Sequence, residues 1–120
     1  MNSLRSQLIR ERLKNDPIFI LKSRLRTRFY QYIKRGLAKK KVNTSKLIGC
    51  NWLYLKNHLE KQFKKGMNWK NFGKWHIDHI KPMAHFNLLN VNDQYKCCNY
   101  KNLQPLWANE NLSKGARYVG

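Results

Sequence analysis

Between positions 17 and 36 the apolar side chains Ile20, Leu21, Leu25, Phe29, Tyr32 and Ile33 recur three and four residues apart, the spacing of one face of an α-helix. Asp16 followed by Pro17 is a helix start, a carboxylate able to cap free N–H groups ahead of a residue tolerated in the first turn. The pattern predicts a helix from Pro17 to about Gly36, with Arg24, Arg26, Arg28, Lys34 and Arg35 on the remaining positions. One face packs and the other stays basic. A second stripe, Trp52, Leu55, Leu59 and Phe63, follows Asn51 and predicts another helix, with Lys56, Glu60 and Lys64 outside it and Gly66 placed to end it. The connector between them carries the run Lys39, Lys40 and Lys41. Asn43, Thr44 and Ser45 are each suited to cap a brief turn ending at Gly49.

Further along, Trp75, Ile77 and Ile80 suggest a strand that Pro82 limits. Asn90 to Asp93 offer caps for a short helix through Tyr95 to Cys98. Leu103 to Trp107 then reads as a second strand, and Ala108 to Lys114 as a short helix closed by Gly115. The predicted fold class is α+β: N-terminal helices followed by strand, excursion, strand and helix, a ββα unit. No internal repeat interrupts it.

A chain of 120 residues supports one modest core. Its net charge of +19 exceeds what solubility needs and favours a polyanionic partner. The first 47 residues hold 14 of the 25 Lys and Arg and only two acids, Glu11 and Asp16. The expected partner is nucleic acid, DNA first and RNA as the other option. Phosphate contacts are assigned to Arg24, Arg28, Arg35, Lys39, Lys40 and Lys41; the plainer alternative is that these charges only solvate a helix. Three cysteines, Cys50, Cys97 and Cys98, form no C-x-x-C pair, so no structural zinc is expected and Cys97 and Cys98 should simply pack. Their odd number fits an intracellular, reducing compartment better than a secreted disulfide framework. An organelle stays open, because Met1 to Asn15 is Arg-rich and nearly free of acids, as a transit peptide is. No apolar run approaches the roughly 18 residues of a membrane span, so a soluble chain without a membrane partner is expected.

The run Trp75-His76-Ile77-Asp78-His79-Ile80-Lys81-Pro82 sets an acid beside a histidine on a strand, where neighbours point to opposite faces. A bent or bulged end is needed to bring both to one phosphate. Asn102 and Asn111 follow at the second strand and in the last helix. Carboxylate and amide oxygens suit a hard cation and imidazole suits a proton near neutral pH. Singly, each has a duller role as a cap, turn or surface hydrogen bond. His76 alternates with Asp78 and either supports the site or packs; His58 and His85 are read as packing residues.

In this order the residues resemble the HNH endonucleases, closest to short proteins of phages, bacteria and large viruses. The shared words are Ile48-Gly49-Cys50, His58-Leu59-Glu60-Lys61-Gln62-Phe63, Gly66-Met67, Trp75 to Pro82, Asn102-Leu103-Gln104-Pro105-Leu106-Trp107 and Asn109 to Gly115. The similarity runs from roughly Lys46 to Arg117. It implies a ββα-metal motif in which His79 is the general base, Asp78 and Asn111 hold Mg²⁺ or Mn²⁺, and Asn102 fastens the loop that orients His79. It implies phosphodiester hydrolysis to a 5′-phosphate and a 3′-hydroxyl. Many members carry histidine where Asn111 stands, so this is an H-N-N variant. On this view residues 1–47 are a basic helical nucleic-acid-binding extension and residues 48–120 the nuclease domain, one compact unit overall. A single site cuts one strand per encounter, so double-strand cleavage needs a homodimer, a larger nucleoprotein assembly or two events. The alternative is a non-catalytic HNH-fold protein, such as an RNA-binding subunit of a ribonucleoprotein particle. A DNA-reading helix-turn-helix finds no pattern.

Overall fold

The structure, a computed structural model, describes residues 3–115; Arg117, where the resemblance ends, lies outside them. In chain order the elements are α1 (Ser3–Asn15), α2 (Pro17–Arg35), α3 (Thr44–Ile48), α4 (Trp52–Glu60), β1 (Trp75–His79), α5 (Val91–Cys98), β2 (Leu103–Trp107) and α6 (Ala108–Lys114), with short 3₁₀ turns between some of them. The class is α+β: among the described residues, six helices with one two-stranded antiparallel sheet. No helix is long and apolar enough to cross a membrane among the described residues.

Local chemistry accounts for most boundaries. Asp16 Oδ1 accepts from Phe19 N at 3.1 Å and opens α2, Asn43 caps α3 and Asn51 caps α4. Gly49 closes α3 in the left-handed conformation, φ 72°. A Cβ there would sit 2.7 Å from the Asn99 amide nitrogen, so the position needs glycine on two counts.

Two elements differ from the sequence reading. The Arg-rich start is a helix, α1, with no buried residue; Leu4, Leu8, Ile9 and Leu13 stay exposed. Composition drew attention to its arginines and hid its apolar spacing. α4 ends at Glu60, not near Gly66, because the chain tightens: Gln62 N bonds Leu59 O and Phe63 N bonds Glu60 O, three residues back. That turn sets the Phe63 ring 5.0 Å from Trp75 and 5.5 Å from Trp69. Trp69 Nε1 donates to Glu60 Oε1 at 3.0 Å, a second hold on the same turn.

β1 and β2 pair from Trp75 opposite Trp107 to His79 opposite Leu103. Ile80 N continues the pairing to Asn102 O at 2.8 Å. The ladder is regular through His79, so the bulge expected beside Asp78 is absent from the strand. Alternation therefore divides β1: Trp75, Ile77 and His79 are buried with the core, while His76 and Asp78 meet α6.

The core draws on both halves of the chain. Leu21, Leu25, Phe29 and Ile33 of α2 pack in one cluster with Leu47, Ile48, Leu55, Leu59, Trp75 and Leu103. Phe29 has no exposed surface. Phe29→Ala is expected to cost about 3–5 kcal/mol, seen as a lower urea midpoint of one cooperative transition. A loss below about 1 kcal/mol, or a separate early step for the N-terminal half, would show that α2 is not part of this core.

Candidate functional site

Strand alternation and helix spacing together assemble the site. Asn111 and Lys114 are three apart on α6 and therefore share its face; His76 and Asp78 are two apart on β1 and share a strand face. α6 lies across them. Asn111 Nδ2 is 3.4 Å from His76 Nδ1, and Lys114 Nζ donates to Asp78 Oδ2 at 2.7 Å. The same ammonium donates to the carbonyls of His79 at 2.6 Å and Ile80 at 3.2 Å. Gln104, opposite Asp78 in the ladder, donates its amide to Asp78 Oδ2 at 2.9 Å. Asp78 is 7% exposed.

One carboxylate and two carbonyl oxygens accept from the Lys114 ammonium, a hard-oxygen cradle for a positive charge. As ligands, such oxygens suit Mg²⁺ or Mn²⁺, and Asn111 lines the same cleft. The residues present fit the divalent ion that the resemblance implies.

On the other face of β1, His79 is 7% exposed. Its ring lies 4.9 Å from Tyr32, edge-on, and 6.0 Å from Phe29. His79 Nε2 is buried without a hydrogen-bond partner, which ordinarily costs about 1–3 kcal/mol. Beyond His79 the chain is clamped by Asn102. Its Oδ1 accepts from Lys81 N at 2.8 Å, and its Nδ2 donates to Lys81 O at 3.1 Å and Cys97 O at 2.9 Å. At the end of β1 a cleft of about 180 Å³ is lined by Asp78, His79 and Asn111 together with Tyr32, Pro82 and Met83. The two faces of the strand are thus both reached from one opening.

Beside it runs a groove of about 570 Å³ lined by Arg24, Arg28 and Arg35 with Thr27, Gln31 and Tyr32. Tyr32 belongs to both hollows. Arg28 Nη1 donates to Tyr32 Oη at 3.0 Å, and the Arg35 guanidinium lies 6.0 Å from its ring. Arg24 lies 5.8 Å from the Phe72 ring. Burial, then the charge of Arg28 and last that of Arg24, lower the pKa of His76, opposed by a hydrogen bond to the Gly73 backbone. His76 is therefore held neutral more readily than an ordinary histidine. Lys39, Lys40 and Lys41 are not on this groove: Lys40 Nζ donates to Thr44 Oγ1 at 2.6 Å and Lys41 Nζ to Leu89 O at 3.5 Å. Burial lowers the pKa of Lys40, partly offset by Cys98.

Sequence reasoning missed Lys114, Gln104 and Tyr32. The signal for Lys114 was its spacing of three from Asn111. Cys97 and Cys98 pack in the core as expected, and the structure also gathers them with His79, which the sequence did not indicate. A hydrogen bond from Cys98 pulls the Cys97 pKa down to about 5, with the His79 imidazole adding to the effect against burial. The same bond and burial push Cys98 up. His58 packs edge-on at 5.2 Å from Tyr100 and bonds with Gln62.

Two uncharacterized proteins of Acanthamoeba polyphaga mimivirus are similar to the chain. Protein L246 is 35% identical over 104 residues, 86% of this chain and 45% of its own length. Protein L426 is 34% identical over 111 residues, 92% of this chain and 48% of its own length. The chain thus spans about half the length of these curated relatives. No family profile matches it. No solved structure matches it.

The Asp78–Lys114 pair is largely withdrawn from water, with side-chain exposures of 8% and 20%. Removing one partner of such a pair typically costs about 3–5 kcal/mol because the other charge is stranded. Asp78→Ala is expected to destabilise in that range, and adding Lys114→Met to recover part of the loss. Urea denaturation of both singles and the double checks this; additive losses would show that the two charges do not interact.

Proposed function

We propose that the chain is an HNH-type, metal-dependent nuclease unit that hydrolyses DNA phosphodiester bonds, leaving 5′-phosphate and 3′-hydroxyl ends. One observation carries the reading: Asp78, His79 and Asn111 line a single cleft, with Asn102 clamping the backbone just past His79. The strand, excursion, strand and helix from Trp75 to Lys114 then correspond to the ββα-metal motif.

Each residue has a distinct task. The His79 imidazole accepts a proton from the attacking water, and the absence of a partner on Nε2 leaves the ring unlocked by hydrogen bonding there. General-base help of this kind is worth on the order of 10²–10⁴ in rate. Asp78 and Asn111 would hold Mg²⁺ or Mn²⁺, which when bound supplies charge stabilisation at the leaving 3′ oxygen. His76 steadies the Asn111 amide. Asn102 fixes where the chain carrying His79 goes next. Lys114 neutralises Asp78 when no divalent ion does so. Arg24, Arg28 and Arg35 track the phosphates of the strand entering the cleft, with Lys39 to Lys41 adding charge beyond the groove.

A second reading is a non-catalytic scaffold on the same fold that binds RNA. The observation that favours it is the Lys114 ammonium already seated on Asp78, as a retired metal site would have it. Incubation with supercoiled plasmid decides between them. Nicking is expected with Mg²⁺ and not without it, and His79→Ala is expected to lose at least about 10²-fold in single-turnover rate with binding retained. Binding without nicking by the wild-type chain would establish the scaffold; nicking by His79→Ala at the wild-type rate would remove His79 as the base.

The groove generates its own expectation. Arg24→Ala with Arg35→Ala should flatten the dependence of log affinity on log salt by about 0.9 for each duplex phosphate that the variant no longer neutralises. Arg28→Ala should also slow turnover, because Arg28 holds Tyr32 against His79. Salt titrations and single-turnover rates check both; unchanged salt slopes would place these arginines outside the nucleic-acid path.

A further inference from the structure

The chemistry above leaves two thiols unused. Cys97 and Cys98 close α5, both 1% exposed and both free of disulfide bonds. Successive residues on a helix point about 100° apart, so neighbours seldom serve one point. Here the helix stops at Cys98, with Asn99 already extended at φ −62° and ψ 144°. The two sulfurs and one ring nitrogen of His79 lie within 4.8 Å of one another. Of the two ring nitrogens of His79, Nε2 is buried with no hydrogen-bond partner. The end of β1 thus separates two donor sets. Oxygens surround a cation on the Asp78 face, and nitrogen with two sulfurs gathers on the His79 face. These sets prefer different metals.

We propose that His79, Cys97 and Cys98 form a second metal site, one that takes Zn²⁺ or a similar thiophilic divalent ion and, by engaging the imidazole, switches cleavage off. The switch rests on the nuclease reading; the binding site does not. Zinc distances of about 2.3 Å to sulfur and 2.0–2.1 Å to nitrogen set tetrahedral donors about 3.5–3.8 Å apart. The cluster, within 4.8 Å, needs to contract by at most about 1.3 Å to meet that spacing, within reach of side-chain rotation. Three protein donors leave a fourth place for a water from the cleft that His79 lines. Each thiol that binds as thiolate releases its proton to solvent, and no electron is transferred.

The test uses the full chain, reduced and metal-free, titrated with Co²⁺ and then Zn²⁺. A thiolate-to-cobalt charge-transfer band is expected, displaced by one equivalent of Zn²⁺ and retained in Cys50→Ser. Cys97→Ser and Cys98→Ser should each weaken zinc binding by more than about 100-fold, since even outer-shell partners of metal ligands matter on the order of 10- to 100-fold. The wild-type spectrum needs no variant to fold. One equivalent of Zn²⁺ should also stop Mg²⁺-dependent nicking by the wild type, and a chelator selective for zinc should restore it. No charge-transfer band, or a band that survives in both Cys97→Ser and Cys98→Ser, overturns the site. A band together with zinc-insensitive nicking overturns the switch. A wild-type chain that never nicks removes the nuclease reading and the switch with it, while the spectrum still decides the site.

Discussion

A buried carboxylate paired with a lysine from the last helix is the interaction on which the rest of this structure depends. Asp78 and Lys114 are both drawn out of water, and each would be costly alone. Their pairing at 2.7 Å, with two backbone carbonyls and the Gln104 amide sharing the load, binds α6 to the end of β1. That tie brings Asn111 over His76 and gives the cleft its wall. It also makes the spot a place where positive charge is stabilised by oxygen, which is the electrostatic condition for a hard metal ion. Stability and the proposed chemistry draw on the same few atoms.

The second organising fact is that β1 has two working faces. Its inner face sets His79 among Phe29, Tyr32 and the two thiols of α5; its outer face sets Asp78 under α6. A five-residue strand with regular pairing cannot turn adjacent side chains to one side, so the cleft forms at the strand end, where both faces are open. Tyr32 carries this inner face outward. It touches His79, accepts from Arg28 and lines the arginine groove, linking basic residues far back in the sequence to the proposed reaction centre.

The parts of this arrangement that depend on near neighbours were legible in the sequence. Asp16 before Pro17, the caps Asn43, Asn51 and Asn90, and the stripe on α2 each act within a few residues and mark their elements directly. The end of α4 was not legible, because the tightened turn that closes it is held by Trp69 and packs on Trp75, both farther along the chain. α1 was obscured because its arginines outweigh a modest apolar stripe. In the site, Asp78, His79, Asn102 and Asn111 stood out through motif order, and the structure brings Asp78, His79 and Asn111 to one cleft. Their partners did not stand out. Lys114 is 36 residues from Asp78 and Gln104 is 26 away, and one lysine among so many bases carries no local mark. Cys97 and Cys98 looked inert for lack of spaced partners, since the third donor, His79, comes from another element.

The central claim is that water, deprotonated at His79, attacks phosphorus from this cleft. Cleavage of a duplex in heavy-oxygen water with Mg²⁺, followed by mass analysis of the ends, tests it most directly. The account predicts a single solvent oxygen in the 5′-phosphate and none at the 3′-hydroxyl. Solvent oxygen in a 3′-phosphate, a cyclic phosphate product, or the absence of any cleavage would contradict it.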